Sequence, residues 1–196
     1  AGAAAVPADI REIATARDLF ALFQRAAETG ADLEFEERAA IERSRDRIGG
    51  SDIASPALAD AFLRILRSPH VGATLRAMAE TGVLGRYIPE YEALVAFFQH
   101  NVYHYYTADE HTLIAIANAE RLNDAEGPLG EVFRQLPDRE TLFLALLLHD
   151  IAKPLGVGDH EITGVEVARN VLQRLDASAL FPDVGFLVRH HLIMEQ

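Results

Sequence analysis

The sequence predicts an all-α fold, and three observations support this prediction. Apolar residues recur with the spacing of a helix face along most of the 196 residues. No segment alternates apolar and polar residues as a half-buried strand does, and no Asn-Gly or Asp-Gly pair marks a β-hairpin. Glycines and prolines interrupt the pattern at helix-length intervals. A chain of this length can bury a sizeable core as one large or two small domains.

Glycine, serine and proline delimit the helices predicted in the first half of the chain. The first helix is predicted to end at Gly30, which we expect to be a left-handed cap. Ser55 is a suitable N-cap for the helix that has Pro56 at its first position. The predicted helical ranges are 9–29, 34–48, 56–67, 72–81 and a short segment over 88–98.

Capping signals and loop residues delimit the second half in the same way. Thr107 and Glu110 have the spacing of a capping box, which predicts a helix to about Leu122. Residues 123–137 are rich in Asn, Asp, Gly and Pro, and we expect a loop there. A strongly apolar helix is predicted over 139–152, ending at Pro154. The remaining helices are predicted over 160–175 and from Asp183 onward, although Thr163 and Glu166 can form a second capping box that starts the first of these later.

Composition narrows the classes of partner and of metal site. The formal net charge is −12, which disfavours nucleic acid as a partner because the two would repel. No apolar run approaches the roughly 20 residues that span a bilayer, and no basic segment marks a signal peptide, so we expect a cytoplasmic chain without a membrane partner. There is no cysteine, so any metal must be held by histidine and carboxylate.

The pair His149-Asp150 stands at the end of the most apolar predicted helix, with Lys153 four residues after the histidine. One interpretation is a simple C-terminal cap, because a histidine and a lysine there interact favourably with the helix dipole. The other is a metal site. Its further donors would come from the histidines at 111, 160, 190 and 191, and such a His-rich set suits transition metals rather than calcium. No HExxH pattern is present, which excludes a zincin-type site.

Several motifs around these histidines resemble one family. VYHYYTADEHTL at 102–113, LLLHDIAKP at 146–154, GDHEITG at 158–164 and VRHHLIM at 188–194 resemble the HD domain of the bifunctional PII uridylyltransferase/uridylyl-removing (GlnD) family. The stretch AFLRILRSPHVGATLRAMAETGVLGRYIPEY at 61–91 is similar to the helical segment that precedes that domain. The resemblance covers roughly residues 55–196.

The resemblance implies an HD-type helical bundle preceded by a helical linker region. We expect residues 1–90 to be the linker that follows the family's nucleotidyltransferase domain, and residues 91–196 to be the HD domain. The nucleotidyltransferase and ACT domains of the family have no counterpart in these 196 residues. HD domains usually complete their metal site with a later Asp, so we expect the domain to be truncated at its C-terminal end.

The resemblance also implies a role for each site residue. His111, His149 and Asp150 would bind a divalent metal (Mn, Mg, Fe or Zn), with Asp150 bridging if two ions bind. His160 and His191 would serve a second ion or the phosphate, and Lys153 would hold a phosphate oxygen. Asp150 and Lys153 are therefore the expected catalytic residues. The implied reaction is hydrolysis of the phosphodiester that links UMP to a tyrosine of uridylylated PII signal protein.

Two other functions stay open at this point. The chain can be a general HD phosphohydrolase for nucleotides or cyclic nucleotides, or an inactive HD module that senses or scaffolds. The roles of His100, His104 and His190 are equally open. For the first two, interhelix packing within their aromatic run is favoured over a wall that stacks on uracil near His111.

Overall fold

The computed structural model describes residues 13–95, 97, 107–156 and 160–193. Every regular element within these residues is a helix and none is a strand, so the predicted all-α fold is confirmed. The α-helices, in chain order, are α1 (Ala16–Thr29), α2 (Phe35–Ser44), α3 (Gly50–Ile53), α4 (Pro56–Arg67), α5 (Val71–Glu80), α6 (Val83–Tyr87), α7 (Pro89–Glu92), α8 (Ala108–Arg121), α9 (Pro128–Gln135), α10 (Arg139–Leu148), α11 (His160–Arg174) and α12 (Phe181–His190). Three short 3-10 segments span Arg45–Arg47, Lys153–Leu155 and Ser178–Leu180.

Within the described ranges no single helix is long and apolar enough to cross a membrane. Residues 139–155 and 160–174 are long and apolar enough only when they are counted together, and the two segments are bent by 118° relative to each other.

Local capping explains both ends of α1. Thr15 and Asp18 form a capping box, in which the Thr15 N–H donates to the Asp18 carboxylate at 2.9 Å and the Asp18 N–H donates to the Thr15 hydroxyl at 3.2 Å. The helix therefore begins at Ala16, later than predicted. Gly30 has φ 69° and its N–H donates to the Ala26 carbonyl, so the predicted left-handed cap is confirmed.

The helices of the first half pack around aromatic side chains. The Tyr87 ring lies 4.8 Å from the Phe20 ring and 5.4 Å from the Phe62 ring, between centroids, and all three side chains are buried. These rings join α1, α4 and the end of α6, and all three helices also contact α5. Edge-to-face arrangements of this kind stabilise a core beyond the area that they bury.

Helix α10 lies at the centre of the second half and contacts α4, α8 and α12. It is predicted to extend to residue 152 but ends at Leu148, so the predicted end is wrong. Pro154 has no N–H to donate to the Asp150 carbonyl, and the Lys153 N–H bonds to that carbonyl instead, at 3.0 Å. Residues 149–152 therefore form turns, and the side chains of this segment no longer follow a helix face.

The loop predicted over residues 123–137 is also wrong, because it contains helix α9. Gly127 has φ 90° and is followed by Pro128 at the first helical position, which favours a helix start. The Phe133 ring is buried and lies 6.3 Å from the Phe143 ring of α10. Tertiary packing on that ring supplies stability that the loop-like composition of the segment does not indicate.

Helices from the two predicted regions share one hydrophobic core. Arg174 of α11 makes a bidentate ion pair with Glu90 of α7, at 2.8 and 2.6 Å. Arg67 of α4 donates to the buried Glu140 of α10 at 2.8 Å. These pairs tie the first-half helices to those that carry the histidines, and the boundary at residue 90 stays a prediction.

Candidate metal centre

Asp150 is the centre of the candidate site and is 1% exposed. Its Oδ2 lies 3.1 Å from Nε2 of His149, while its Oδ1 lies 3.5 Å from Nε2 of His191 and 3.6 Å from Nε2 of His160. The end of α10, the start of α11 and the end of α12 thus bring three imidazoles to one carboxylate. The His111 ring completes the group, with its centroid 5.4 Å from that of His149.

Two of the imidazoles are oriented by the backbone of their own helices. Nδ1 of His149 lies 2.7 Å from the Leu146 carbonyl, and Nδ1 of His191 lies 2.7 Å from the Val188 carbonyl. A carbonyl can only accept, so each Nδ1 carries a proton and donates it, and Nε2 of each ring is the nitrogen directed at Asp150. Metal-binding histidines are commonly fixed in this way, with the outer ring nitrogen donating to a carbonyl.

Three buried polar atoms at the centre have no hydrogen-bond partner among the described residues: Oδ1 of Asp150, Nε2 of His160 and Nε2 of His191. Buried polar atoms without partners are costly, and three that converge need either added protons or a cation. Imidazole nitrogen and carboxylate oxygen are ordinary ligands of zinc, manganese and iron. The residues present therefore fit a divalent metal ion.

The donors divide into two sets that share Asp150. Within the described residues, one set consists of His111, His149 and Asp150, and the other of Asp150, His160 and His191. The ligand atoms of each set lie within 4.8 Å of one another. A shared carboxylate with one oxygen toward each set is the arrangement that a bridged pair of ions requires.

Lys153 lies against the same carboxylate. Its Nζ donates to Oδ2 of Asp150 at 2.7 Å, and its side chain is 14% exposed. The turn that ends α10 creates this contact, because it returns Lys153 toward Asp150, three residues before it. The sequence predicts Lys153 as a phosphate ligand and does not predict this ion pair.

Helix α8 presents His111 in its first turn, and a long-range ion pair holds that turn. Glu110 accepts from both terminal nitrogens of Arg76 on α5, at 2.9 and 3.0 Å. The predicted capping box is wrong, because the Thr107 side chain makes no cap hydrogen bond and Glu110 binds Arg76 instead. A bidentate guanidinium–carboxylate pair adds geometric specificity, so it orients the first turn of α8 relative to α5.

The structure brings together all the site residues that the sequence predicts: His111, His149, Asp150, Lys153, His160 and His191. It also separates the adjacent histidines of α12, because the exposed His190 ring packs on Phe186 with centroids 4.7 Å apart and faces away from Asp150. The other predicted candidates, His100 and His104, lie outside the described residues.

Glu161 is a neighbour of the site that the sequence did not predict. Oε2 of Glu161 lies 3.9 Å from Nδ1 of His160, and its other oxygen lies 3.2 Å from Arg189. This is the side of His160 on which the other imidazoles have a backbone carbonyl. The only sequence signal was its position directly after His160, and pairing with Arg189 depends on how α11 packs on α12.

The electrostatics of the site follow from burial and from these contacts. Burial acts to raise the pKa of Asp150, but contacts with His149, His191 and Lys153 outweigh it and hold that pKa far below its usual value. Burial lowers the pKa of His160. Burial also acts to lower the pKa of His191, but its contacts with Asp150 and the Val188 carbonyl raise it above the ordinary value. The carboxylate is thus kept ionised, as a metal ligand must be.

Comparison with known proteins identifies the class to which this fold and site belong. Residues 108–196 match the family model described as HD domain, and residues 11–87 match the one described as uridylyltransferase GlnD third domain. The helical fold with its clustered His and Asp donors is therefore that of an HD-domain protein.

Curated relatives named bifunctional uridylyltransferase/uridylyl-removing enzyme narrow the class. The chain is 40% identical over 186 residues to one from Azospirillum brasilense and 39% identical over 184 residues to one from Caulobacter vibrioides, covering 90% of this chain in each case. One from Novosphingobium aromaticivorans is 43% identical over 140 residues, or 68% of this chain. The chain belongs to this GlnD family, so the resemblance in its motifs is confirmed. It spans 20% of the length of the first two relatives and 15% of the third.

Proposed function

We propose that this chain carries the site of a metal-dependent phosphodiester hydrolase that releases UMP from uridylylated PII signal protein in the cytoplasm. His111, His149, Asp150, His160 and His191 hold one or two divalent ions, of which Mn²⁺, Mg²⁺, Fe²⁺ and Zn²⁺ are the candidates. Lys153 binds a phosphate oxygen of the substrate. The observation that carries the proposal is the convergence of three buried atoms that have no partner in the described part of the chain, namely Asp150 Oδ1, His160 Nε2 and His191 Nε2.

The names of the relatives support the choice of substrate. Each combines a uridylyltransferase with a uridylyl-removing activity, and the second of these is a hydrolysis that an HD-type site can perform. The PII protein is proposed as the substrate because of the family resemblance. The resemblance implies that the bond to be broken links UMP to a tyrosine of that protein. Surfaces of the longer relatives beyond this chain would contribute to that recognition.

Each side chain has a defined task in this mechanism. A divalent ion held by these residues would supply Lewis-acid chemistry that makes a bound water acidic. Asp150 offers one oxygen to each donor set, and its ionised state is secured by the surrounding imidazoles and Lys153. The carbonyls of Leu146 and Val188 keep the Nε2 atoms of their histidines directed inward. The Lys153 ammonium is a mobile point charge that can stabilise the phosphate as its charge develops.

The direct test is UMP release from uridylylated PII in the presence of Mn²⁺, comparing wild type with Asp150→Asn and His190→Ala. We expect Asp150→Asn to lose activity by several orders of magnitude, because it removes the shared ligand. His190→Ala is the matched control, since it deletes an adjacent imidazole that faces away from the site. Unchanged UMP release by Asp150→Asn would contradict the proposal.

Two further substrates separate the alternatives. Rapid turnover of free or cyclic nucleotides without UMP release from PII would indicate a general HD phosphohydrolase. Tight ion binding without turnover of any phosphodiester would indicate an inactive sensing or scaffold module.

A further inference from the structure

The two oxygens of Asp150 have different surroundings. Oδ1 faces Nε2 of His160 at 3.6 Å and Nε2 of His191 at 3.5 Å, and no described residue gives it a hydrogen bond. Oδ2 faces Nε2 of His149 at 3.1 Å and also accepts from Nζ of Lys153 at 2.7 Å. Of the two donor sets, the one that contains His149 therefore shares its carboxylate oxygen with the Lys153 ammonium.

We propose that Lys153 and a divalent ion compete for Oδ2 of Asp150, which makes the two ion sites unequal. The set of Asp150 Oδ1, His160 and His191 binds the first ion. The set of Asp150 Oδ2, His149 and His111 binds the second, and this step displaces Nζ of Lys153 and frees it for the phosphate of a substrate. The proposal rests on the metal centre of the proposed function and adds an order of loading that couples the second ion to the catalytic lysine.

Electrostatics at close range supports the competition. Asp150 and Lys153 are both mostly buried, with side chains 2% and 14% exposed, so like charges beside Oδ2 are poorly screened. A ligand oxygen lies about 2.0–2.2 Å from a bound zinc ion, which places an ion at Oδ2 within a few ångströms of the ammonium. At Oδ1 no lysine or arginine of the described residues forms an ion pair, so a first ion has no bound cation to displace there, and the Lys153 charge acts on it only from the other oxygen.

A lysine at position 153 is also suited to leaving its ion-pair partner Asp150. Lys153 is the only lysine of the chain, and the other positively charged side chains are all arginine. An ammonium is a point charge on a flexible stem and gives up one oxygen by simple rotation, whereas a guanidinium holds a carboxylate through two parallel bonds. The single lysine also makes a selective probe, because reductive methylation with ¹³C-formaldehyde labels Lys153 and the N-terminal amine alone.

Zinc titration calorimetry of the chelator-stripped chain tests the proposal. Wild type is expected to show two binding events of unequal affinity. Lys153→Met should strengthen the weaker event by about tenfold or more, which is the size of effect that one neighbouring charge has on an ionisable group. Lys153→Arg, which keeps the charge, should leave that event weak. Arg189→Gln is the matched control, because it removes a positive charge whose partner is Glu161 and not Asp150.

Two further measurements assign the events without relying on a lysine substitution. His191→Ala should abolish the tighter event and His111→Ala the weaker one. In ¹³C-methylated wild type, the Lys153 signal should stay in place during the first equivalent of Zn²⁺ and shift during the second.

The outcomes also distinguish this proposal from the proposed function. Two events of equal affinity, a weaker event that Lys153→Met leaves unchanged, or a methyl shift complete at the first equivalent would overturn the order of loading alone. A wild-type chain that binds no Zn²⁺ would overturn both.

Discussion

Oδ1 of Asp150 lies 3.5 Å from Nε2 of His191, and within the described ranges neither atom has a hydrogen-bond partner. The two residues are 41 positions apart and meet because α10 and α12 pack side by side with their ends together. Val188 fixes the ring of His191 through its carbonyl, so the unpartnered nitrogen is held toward the carboxylate. The thermodynamic consequence is that an ion bound between these atoms stabilises the packing of the two helices.

Saturating Mn²⁺ is therefore expected to raise the thermal stability of the chain. An ion present at about 100 times its dissociation constant adds about 2.7 kcal/mol to the free energy of unfolding. For a domain of this size that corresponds to a rise in Tm of roughly 5–10 °C. Thermal denaturation followed by circular dichroism, in Mn²⁺ and in chelator, measures the difference. Asp150→Asn should show little rise, and an equal rise in that variant would place the ion elsewhere.

His190→Ala and His191→Ala should affect ion affinity differently, although the two residues are adjacent. His191→Ala removes an inward-facing donor, and its ion affinity should fall by more than the roughly 10–100-fold typical of losing an outer partner of a metal ligand. His190→Ala removes a ring that stacks on the exposed Phe186, and its ion affinity should match wild type. Calorimetric titration of both variants with Zn²⁺ checks this, and equal losses would contradict the orientation of the pair.

The close approach of α5 and α8 should make Gly72 intolerant of a side chain. A Cβ at Gly72 would lie 3.0 Å from the Cα of Ala117, a backbone atom that cannot move aside. Gly72→Ala should therefore cost about 1–3 kcal/mol of stability despite the better helix propensity of alanine. Urea denaturation measures the cost. Gly50→Ala is the matched control, because nothing lies within 4 Å of its added Cβ, and it should be neutral or stabilising.

The ion pair between Arg174 and Glu90 should contribute measurable stability. Both side chains are mostly buried and the contact is bidentate, so a double-mutant cycle should give a coupling energy of about 1 kcal/mol. The pair of Arg64 with Asp60 is the control, since it lies within one helix and both side chains are more than half exposed. Its coupling energy should be about 0.3–0.5 kcal/mol. Equal coupling energies would show that the ion pair between α7 and α11 stabilises the fold no more than an exposed pair within one helix does.

Much of the fold could be predicted from local chemistry. Gly30 ends its helix with a left-handed cap and Pro56 starts another, because both effects depend on one residue and its immediate neighbours. Predictions that depended on distant partners were less successful. Helix α9 needs the ring of Phe143 to pack on Phe133, and Glu110 turns from Thr107 to Arg76, which is 34 residues away.

The candidate site divides in the same way. The order of residues along the chain specifies which donors are available: a His-Asp pair after an apolar helix, further histidines in a spacing shared with one family, and a single lysine. These are covalent facts that need no packing. The absence of cysteine likewise limits any metal donor to nitrogen and oxygen.

How these groups are used depends on the packing of the helices. Adjacent residues near a helix end point in different directions, so the packing of α12 on α10 selected His191 over His190. The turn imposed by Pro154 brought Lys153 onto one oxygen of Asp150 and left the other to two imidazoles. The asymmetry of the carboxylate arises from distances across three helices, and sequence spacing carries no information about such distances.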